Sequence, residues 1–432
     1  MKADYRYLRP AKATSLKGWL ESGFCRKEKL EYYCYKNASI LPIKKLLEDG
    51  LQFGRGGVID QNNVYQVTSG IDGRVGGYYD HSLSEYEDKC VVYCGYLVKQ
   101  WGHFLVEGVA RLWYFLENDS AIDKYVFITE ENGSCQAKGN FGEFLRLLGI
   151  ADKVEIINRP VKYRDVIVPE LGYKRKEYYS DQYKRVFDVV ATNAIKEYSI
   201  NEKVSGKIYL SRGRFRKALQ AETGLDMLDD YFARNGFELL YPEKTSLSEM
   251  ICCIRNADIC AAESGTVPHN MLFARDEQKL VIIERQSIVT EIQADIDRIK
   301  DLDVTYIDGH YTIYPVSAGY GPYMLAFNRW LKQYSLDHGY LPPAEEYLSE
   351  NYLRTCFQQY MHVYRQAYGY RWGMEAWQLQ YAEALFEAYE ESCEVFKSYL
   401  EMTKPFTWKQ RFSWHYIKQK LHQIKAKSSR KE

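Results

Sequence analysis

The chain has 432 residues, 46% apolar and 27% charged, which is enough for ordinary packed cores and excludes disorder as a global description. Lys plus Arg and Asp plus Glu balance at 58 each, which argues against a dedicated nucleic-acid binder, and ten scattered Cys without a C-x-x-C pair read as reduced cytoplasmic thiols. The N-terminus lacks the apolar core of a signal peptide and no apolar run approaches the roughly 20 residues of a membrane span, so neither a secreted nor a membrane-spanning protein is expected.

Residues 1–87 read as a β-leaning start, with turn punctuation at Gly54-Arg55-Gly56-Gly57, Gly70-Ile71-Asp72-Gly73 and Gly76-Gly77. From residue 88 strands and helices alternate. A buried strand is expected at 89–98, helical spacing at 103–116, a strand at 125–129 and a helix at 141–148 stopped by Gly149. Strands at 154–157 and 165–169 follow, then a helix over about 180–198. The second half repeats the rhythm: a strand at 207–210, a basic loop at 211–217, a helix at about 225–234 and a strand at 237–240. Ser246 and Glu249 form a capping box that starts a helix running to about 256, and a strand at 257–262 leads through a tight loop into a helix begun by Pro268. A last strand is expected at 280–284. Two such blocks in series predict an α/β fold with two doubly wound, Rossmann-like domains facing a cleft. The expected division is 1–87 joined to 88–195, then 196–325, then a helical C-terminal region at 326–432.

Three stretches could carry chemistry. In the first, His103, Glu107 and Arg111 are spaced i, i+4, i+8 and drift only about 40° per step along one helix face, just past a strand's carboxyl end. A His beside a Glu can act as a general base, and Arg111 can hold the Glu or an anionic ligand; a solvated charge ladder fits the same spacing. In the second, the strand end Ser211-Arg212 with Arg214 behind it suits a diphosphate, because guanidinium forks match phosphate oxygens; a solvated basic loop is the plainer reading. In the third, Glu263-Ser264-Gly265-Thr266 joins a strand to a Pro-started helix and offers amides to a phosphate or sugar hydroxyl, with Glu263 better suited to a hydroxyl. Asp295 with Asp297 and Asp301 with Asp303 are set aside as metal ligands, because hard cations need several converging oxygens. Dinucleotide and P-loop fingerprints are missing, as are the esterase elbow and the H-E-x-x-H zinc motif.

In this order and spacing the three stretches resemble the catalytic domain of family 61 glycosyltransferases. The family's His-x-x-x-Glu-x-x-x-Arg-Leu helix matches His103, Glu107, Arg111 and Leu112, and its Tyr-[Ile/Leu]-Ser-Arg strand end matches Tyr209 to Arg212. Gly236-Phe237, Pro242-Glu243 and Leu247-Ser248-Glu249 echo the run that follows. The family's Gly-rich loop corresponds to residues 262–273, keeping Gly265, Asn270 and Phe273, and its strand-end Glu corresponds to Glu284. The loop His of the family is Ser264 here, and His269 stands nearby out of register. The resemblance spans about residues 50–330 and is of the bacterial polysaccharide type.

That resemblance implies a two-domain GT-B arrangement, with the acceptor on 50–195 and the nucleotide sugar on 196–325. It implies inverting transfer from a nucleotide-sugar donor, a UDP-sugar first, to a hydroxyl of a glycan or lipid-linked glycan in surface polysaccharide biosynthesis. The base is His103 or Glu107, with His103 favoured and Glu107 orienting it, since imidazole titrates near the working pH. Donor contacts fall to Arg212, Arg214, Ser264, Gly265, Thr266, Asn270 and Glu284, Arg111 gives structural or acceptor-side support, and a divalent metal is not required. The alternative is a non-catalytic carbohydrate-binding or assembly protein on the same fold. Residues 403–432 hold nine Lys or Arg and one acid, Glu432. Trp414, Ile417, Leu421 and Ile424 fall within about an 80° helical stripe flanked by lysines. The segment 404–432 can therefore rest on an anionic membrane surface from the cytoplasmic side, or pack across the two domains.

Overall fold

A computed structural model describes residues 1–368 apart from 22–24, 47–49, 72, 83–84, 119–121, 199–205, 287–290 and 312–320. The basic segment 404–432 lies outside the described residues. The chain opens with β1 (Lys2–Tyr7) and α1 (Pro10–Glu21). A six-stranded sheet follows, built from β2 (Tyr32–Lys44), β3 (Arg55–Ile59), β4 (Glu85–Tyr96), β5 (Lys124–Ile128), β6 (Val154–Ile157) and β7 (Val161–Pro169) in the order β3-β2-β7-β4-β5-β6. Strands β7, β4, β5 and β6 are parallel, and β2 and β3 complete one edge antiparallel. Helix α2 (Asn140–Leu148) connects β5 to β6, and α3 (Asp181–Glu197) leads out under a Ser180 cap that accepts the Tyr183 amide.

The second sheet contains β8 (Lys207–Leu210), β9 (Glu238–Leu240), β10 (Ile259–Glu263), β11 (Lys279–Glu284) and β12 (Asp303–Asp308). Its order is β1-β12-β11-β10-β8-β9, parallel throughout. Helices α4 (Leu225–Arg234), α5 (Leu247–Asn256) and α6 (Glu291–Ile299) form its crossovers, and α7 (Arg329–His338) and α8 (Glu350–Tyr368) begin the helical C-terminal region. Two parallel blocks appear as the sequence rhythm predicts. The N-terminus does not follow chain order: Lys2 pairs with Asp303 and Tyr7 with Ile307, so β1 is an edge strand of the second sheet. A lone six-residue strand says nothing about which sheet edge it fills. Helix α1 escaped the reading because only Lys12 and Leu16 on it are buried, too few for a visible apolar stripe.

Alternation along the strands sets the layers. Val92 and Cys94 face one core, whereas Val91 and Tyr93 face the opposite side of the first sheet. Ile208 and Leu210 turn toward the first of these cores and Tyr209 away from it. That shared core is continuous through α3 and α5, with Val186, Phe187, Ile251 and Ile254 fully buried between the two sheets. Packing of α3 and α5 helps join the two units.

Candidate active site

A cleft of about 1710 Å³ opens where the carboxyl ends of both parallel sheets converge. Trp101 and His103 follow β4, Arg212 follows β8, Pro242 and Glu243 follow β9, Gly265 and Thr266 follow β10, and Arg285 and Gln286 follow β11. Six lining residues are Lys or Arg (Lys12, Arg74, Lys99, Arg175, Arg212, Arg285) and three are Glu, so the lining is net cationic and suits an anion.

On the first wall, residues 101–116 do not form the single helix that their spacing predicts. One α-helical turn at Trp101–His103 passes into a π-helical turn at Phe104–Gly108, and a 3-10 turn resumes at Leu112–Leu116. The first step of the stripe survives: His103 Nδ1 lies 3.2 Å from Glu107 Oε2. Arg74, which sequence reasoning passed over, reaches the same two groups. Its Nη1 donates to Glu107 Oε2 at 2.6 Å and lies 3.1 Å from His103 Nδ1. Both Glu107 and Arg74 thus converge on Nδ1 of His103, and the His103 side chain lines the cleft. Arg111 leaves the stripe. It is 1% exposed, and its guanidinium donates to the carbonyls of Pro169, Thr68 and Gly70 at 3.0, 2.8 and 3.1 Å. It pins the backbone behind the site, and these side-chain hydrogen bonds go to carbonyls rather than to Glu107.

On the second wall, Arg212 Nη2 donates to Glu222 Oε1 at 2.8 Å, and Arg285 Nη1 donates to the same oxygen at 2.7 Å. Burial pushes the Glu222 carboxyl up, but Arg285 and Arg212 outweigh it and hold it below the usual range. One carboxylate thus clamps two guanidiniums side by side at the cleft. Gly265, at φ +135, permits the approach, since a Cβ there would lie 2.5 Å from Arg285 Nη2. Arg285, Glu222 and Lys12 all line the cleft and none was singled out from sequence. A Gly-loop motif draws attention to the loop itself, not to the residue one strand over.

Other expected donor residues lie elsewhere. Arg214 is exposed, with its guanidinium 4.7 Å over the Tyr241 ring, away from the cleft lining. Ser264 is 1% exposed and its Oγ accepts the Arg285 amide at 3.2 Å. Glu284 is 2% exposed and pairs with Lys12 Nζ at 3.3 Å, while Lys12 also donates to Asp308 at 2.8 Å and to the Gln286 carbonyl at 2.7 Å. These groups buttress the strand ends from below and dock α1. Glu263, read as a sugar-hydroxyl contact, is fully buried, accepts from Tyr209 at 2.8 Å and lies 3.6 Å from Arg212. Thr266 and Asn270 do line the cleft. Both ends of the Asn270 amide are taken, its Oδ1 by Trp101 Nε1 at 2.8 Å and its Nδ2 by the Val267 carbonyl at 2.8 Å, so it ties the walls together. The Pro-started helix is a seven-residue 3-10 segment, Val267–Phe273.

Among the described residues no group of three or more His, Cys, Asp or Glu could hold a metal ion. Asp295 is taken by Tyr173 at 2.8 Å and Arg298 at 2.5 Å, and Asp297 by Tyr306 at 2.5 Å and Gln293 at 2.7 Å. The nine described cysteines are free. No described helix is long and apolar enough to cross a membrane.

Fold and site together define an α/β protein whose parallel strand ends converge on one cation-rich cleft, the place where such sheets bind ligands. The particular likeness comes from comparison with known families: residues 101–281 match the model of the family described as Glycosyltransferase 61, which supports a glycosyltransferase of that family. The matched segment starts at Trp101 on the first wall and runs through Arg212 and the 263–270 loop to β11. No match to a curated protein was found.

Proposed function

We propose that this chain is an inverting glycosyltransferase of the GT-B type. It moves a sugar from a nucleoside-diphosphate donor, a UDP-sugar, to a hydroxyl of a glycan or lipid-linked glycan during surface polysaccharide synthesis. The observation that carries this reading is the placement of the His103–Glu107–Arg74 group and the Arg212–Glu222–Arg285 group on opposite walls of one cleft, within a chain whose residues 101–281 match the family. His103 takes the proton of the acceptor hydroxyl as its oxygen bonds to the anomeric carbon. The electrons of the breaking glycosyl bond leave with the diphosphate. Arg212 and Arg285 meet that growing charge with fork-shaped donors already in position. Glu107 and Arg74 hold the imidazole ring in place.

Peripheral attachment at the cytoplasmic face through 404–432 belongs to the same proposal, because a lipid-linked acceptor sits at that surface. The test is a thermal-shift screen of nucleoside diphosphates and nucleotide sugars followed by transfer assays, since a ligand that binds the native state raises its melting temperature. Stabilisation by UDP together with transfer to a glycan acceptor supports the reading. Binding without turnover over a broad acceptor panel makes it a carbohydrate-binding protein, and no nucleotide binding at all overturns it.

A further inference from the structure

Between the two charged groups stands an imidazole that the mechanism above leaves idle. His269 lies on the 267–273 turn, lines the cleft and is 6% exposed. Neither ring nitrogen has a hydrogen-bond partner. A buried donor and acceptor left unpaired cost stability, so such a residue in a cleft points to a ligand that completes it. The ring is pressed against the opposite wall: a Cβ on Gly102 would lie 2.7 Å from His269 Nδ1 and 3.3 Å from Cε1. Only glycine at 102 allows the two walls to meet there. Burial, with His103 and Arg285 adding like charge, pushes the imidazole down to about 3, so it is neutral at physiological pH.

We propose that His269 is a donor-sugar contact, hydrogen-bonding a hydroxyl or amide substituent of the sugar being transferred. The proposal rests on the glycosyltransferase reading. Position argues for it: the ring abuts Gly102, the neighbour of the base His103, and shares the cleft lining with Arg285, one of the diphosphate arginines, so it stands near the two ends of the expected donor. Chemistry argues for it too. A neutral imidazole offers one N–H and one lone pair, and a sugar hydroxyl or acetamido group can use either. A phosphate would call for donors alone, which the arginines already supply.

The experiment is calorimetry on the full chain with UDP alone and with a set of UDP-sugars, for the wild type, His269→Phe and His269→Asn. The Phe variant keeps a flat ring without polar atoms, and the Asn variant keeps a donor and an acceptor. The expected result is UDP affinity within about twofold of wild type in both, and about a tenfold loss of the preferred UDP-sugar's added affinity in His269→Phe, the scale of one hydrogen bond. His269→Asn should recover part of it. Equal UDP-sugar affinity in wild type and His269→Phe would overturn the assignment while leaving the donor reading intact, as would a loss identical for UDP and UDP-sugar. A wild type that binds neither ligand would overturn the donor reading, and this inference with it.

Discussion

His103 is held through Nδ1 by Glu107 and Arg74 and lines the cleft, an arrangement that lets one residue be tested cleanly. His103→Ala should cut turnover by about 10²-fold or more at saturating donor and acceptor with the melting temperature unchanged, as for loss of a general base; near-normal turnover would remove it from that role. Arg212→Ala should weaken UDP binding by about 1.5–3 kcal/mol, the scale of a charge-assisted hydrogen bond, measured by calorimetry. Glu263 beneath them carries a pH signature. Burial pushes its carboxyl from 4.5 up to about 7, against the partial opposition of Arg212. Between those values the folded chain holds a proton that the unfolded chain has lost. The resulting stabilisation is complete below pH 4.5 and disappears as the pH rises toward 7. Asp297, also pushed up to about 7 by burial, acts in the same direction. Glu263→Gln keeps an acceptor for Tyr209 and does not titrate, so its stability should fall less steeply over this window, by a difference on the order of 3 kcal/mol. Identical slopes in urea titrations of the two proteins would contradict the assignment.

At the scale of elements, α5 shows how the two units are locked. Its Ser246 cap accepts the Glu249 amide at 3.2 Å, one half of the capping box expected from the sequence. The remaining exposed amides go to Glu143 on α2, more than 100 residues earlier. Glu143 accepts from Leu247 N at 3.1 Å, and from Ser248 N at 3.0 Å and its hydroxyl at 2.9 Å. A carboxylate at a helix N-terminus also meets the positive end of the helix dipole. Glu143→Ala should therefore cost about 1–2 kcal/mol, within the range for loss of a cap, and chemical denaturation would show it as a lowered midpoint. An unchanged midpoint would mean that water replaces the carboxylate without loss. The 101–116 segment teaches the opposite lesson. Its apolar spacing reads as one helix, yet Arg111 bonds three backbone carbonyls far along the chain, and the chain leaves α-helical winding between His103 and Leu112.

Across the whole molecule, one aromatic cluster spans both units. Phe144 on α2, Phe187 on α3 and Phe273 beside β10 stand 5.7 to 6.1 Å apart, ring centre to ring centre. All three are fully buried in the core that runs between the sheets. Phe187→Ala should destabilise the protein by about 3–5 kcal/mol, the usual cost of removing a large core ring. Because the ring belongs to both units, melting followed by circular dichroism and by calorimetry should remain a single transition at lower temperature. Two separated transitions would show that the units unfold independently.

The strand and helix rhythm, the two parallel blocks, the Ser246 cap and the placement of His103, Arg212 and the 263–266 loop at strand ends are all legible along the chain. They rest on short-range chemistry: apolar period, turn residues and caps act within a few positions. Which polar side chains face the cleft is not decided at that range. Arg214 lies over the Tyr241 ring, while Ser264, Glu263 and Glu284 sink into buried pairs whose partners come from other segments of the chain. Arg74 and Glu222 join the site from segments outside the family motifs, whereas His269 and Arg285 stand beside motif positions without occupying them. Their partners lie 33 residues apart for Arg74 and Glu107 and 63 for Glu222 and Arg285, distances in sequence that only folding closes.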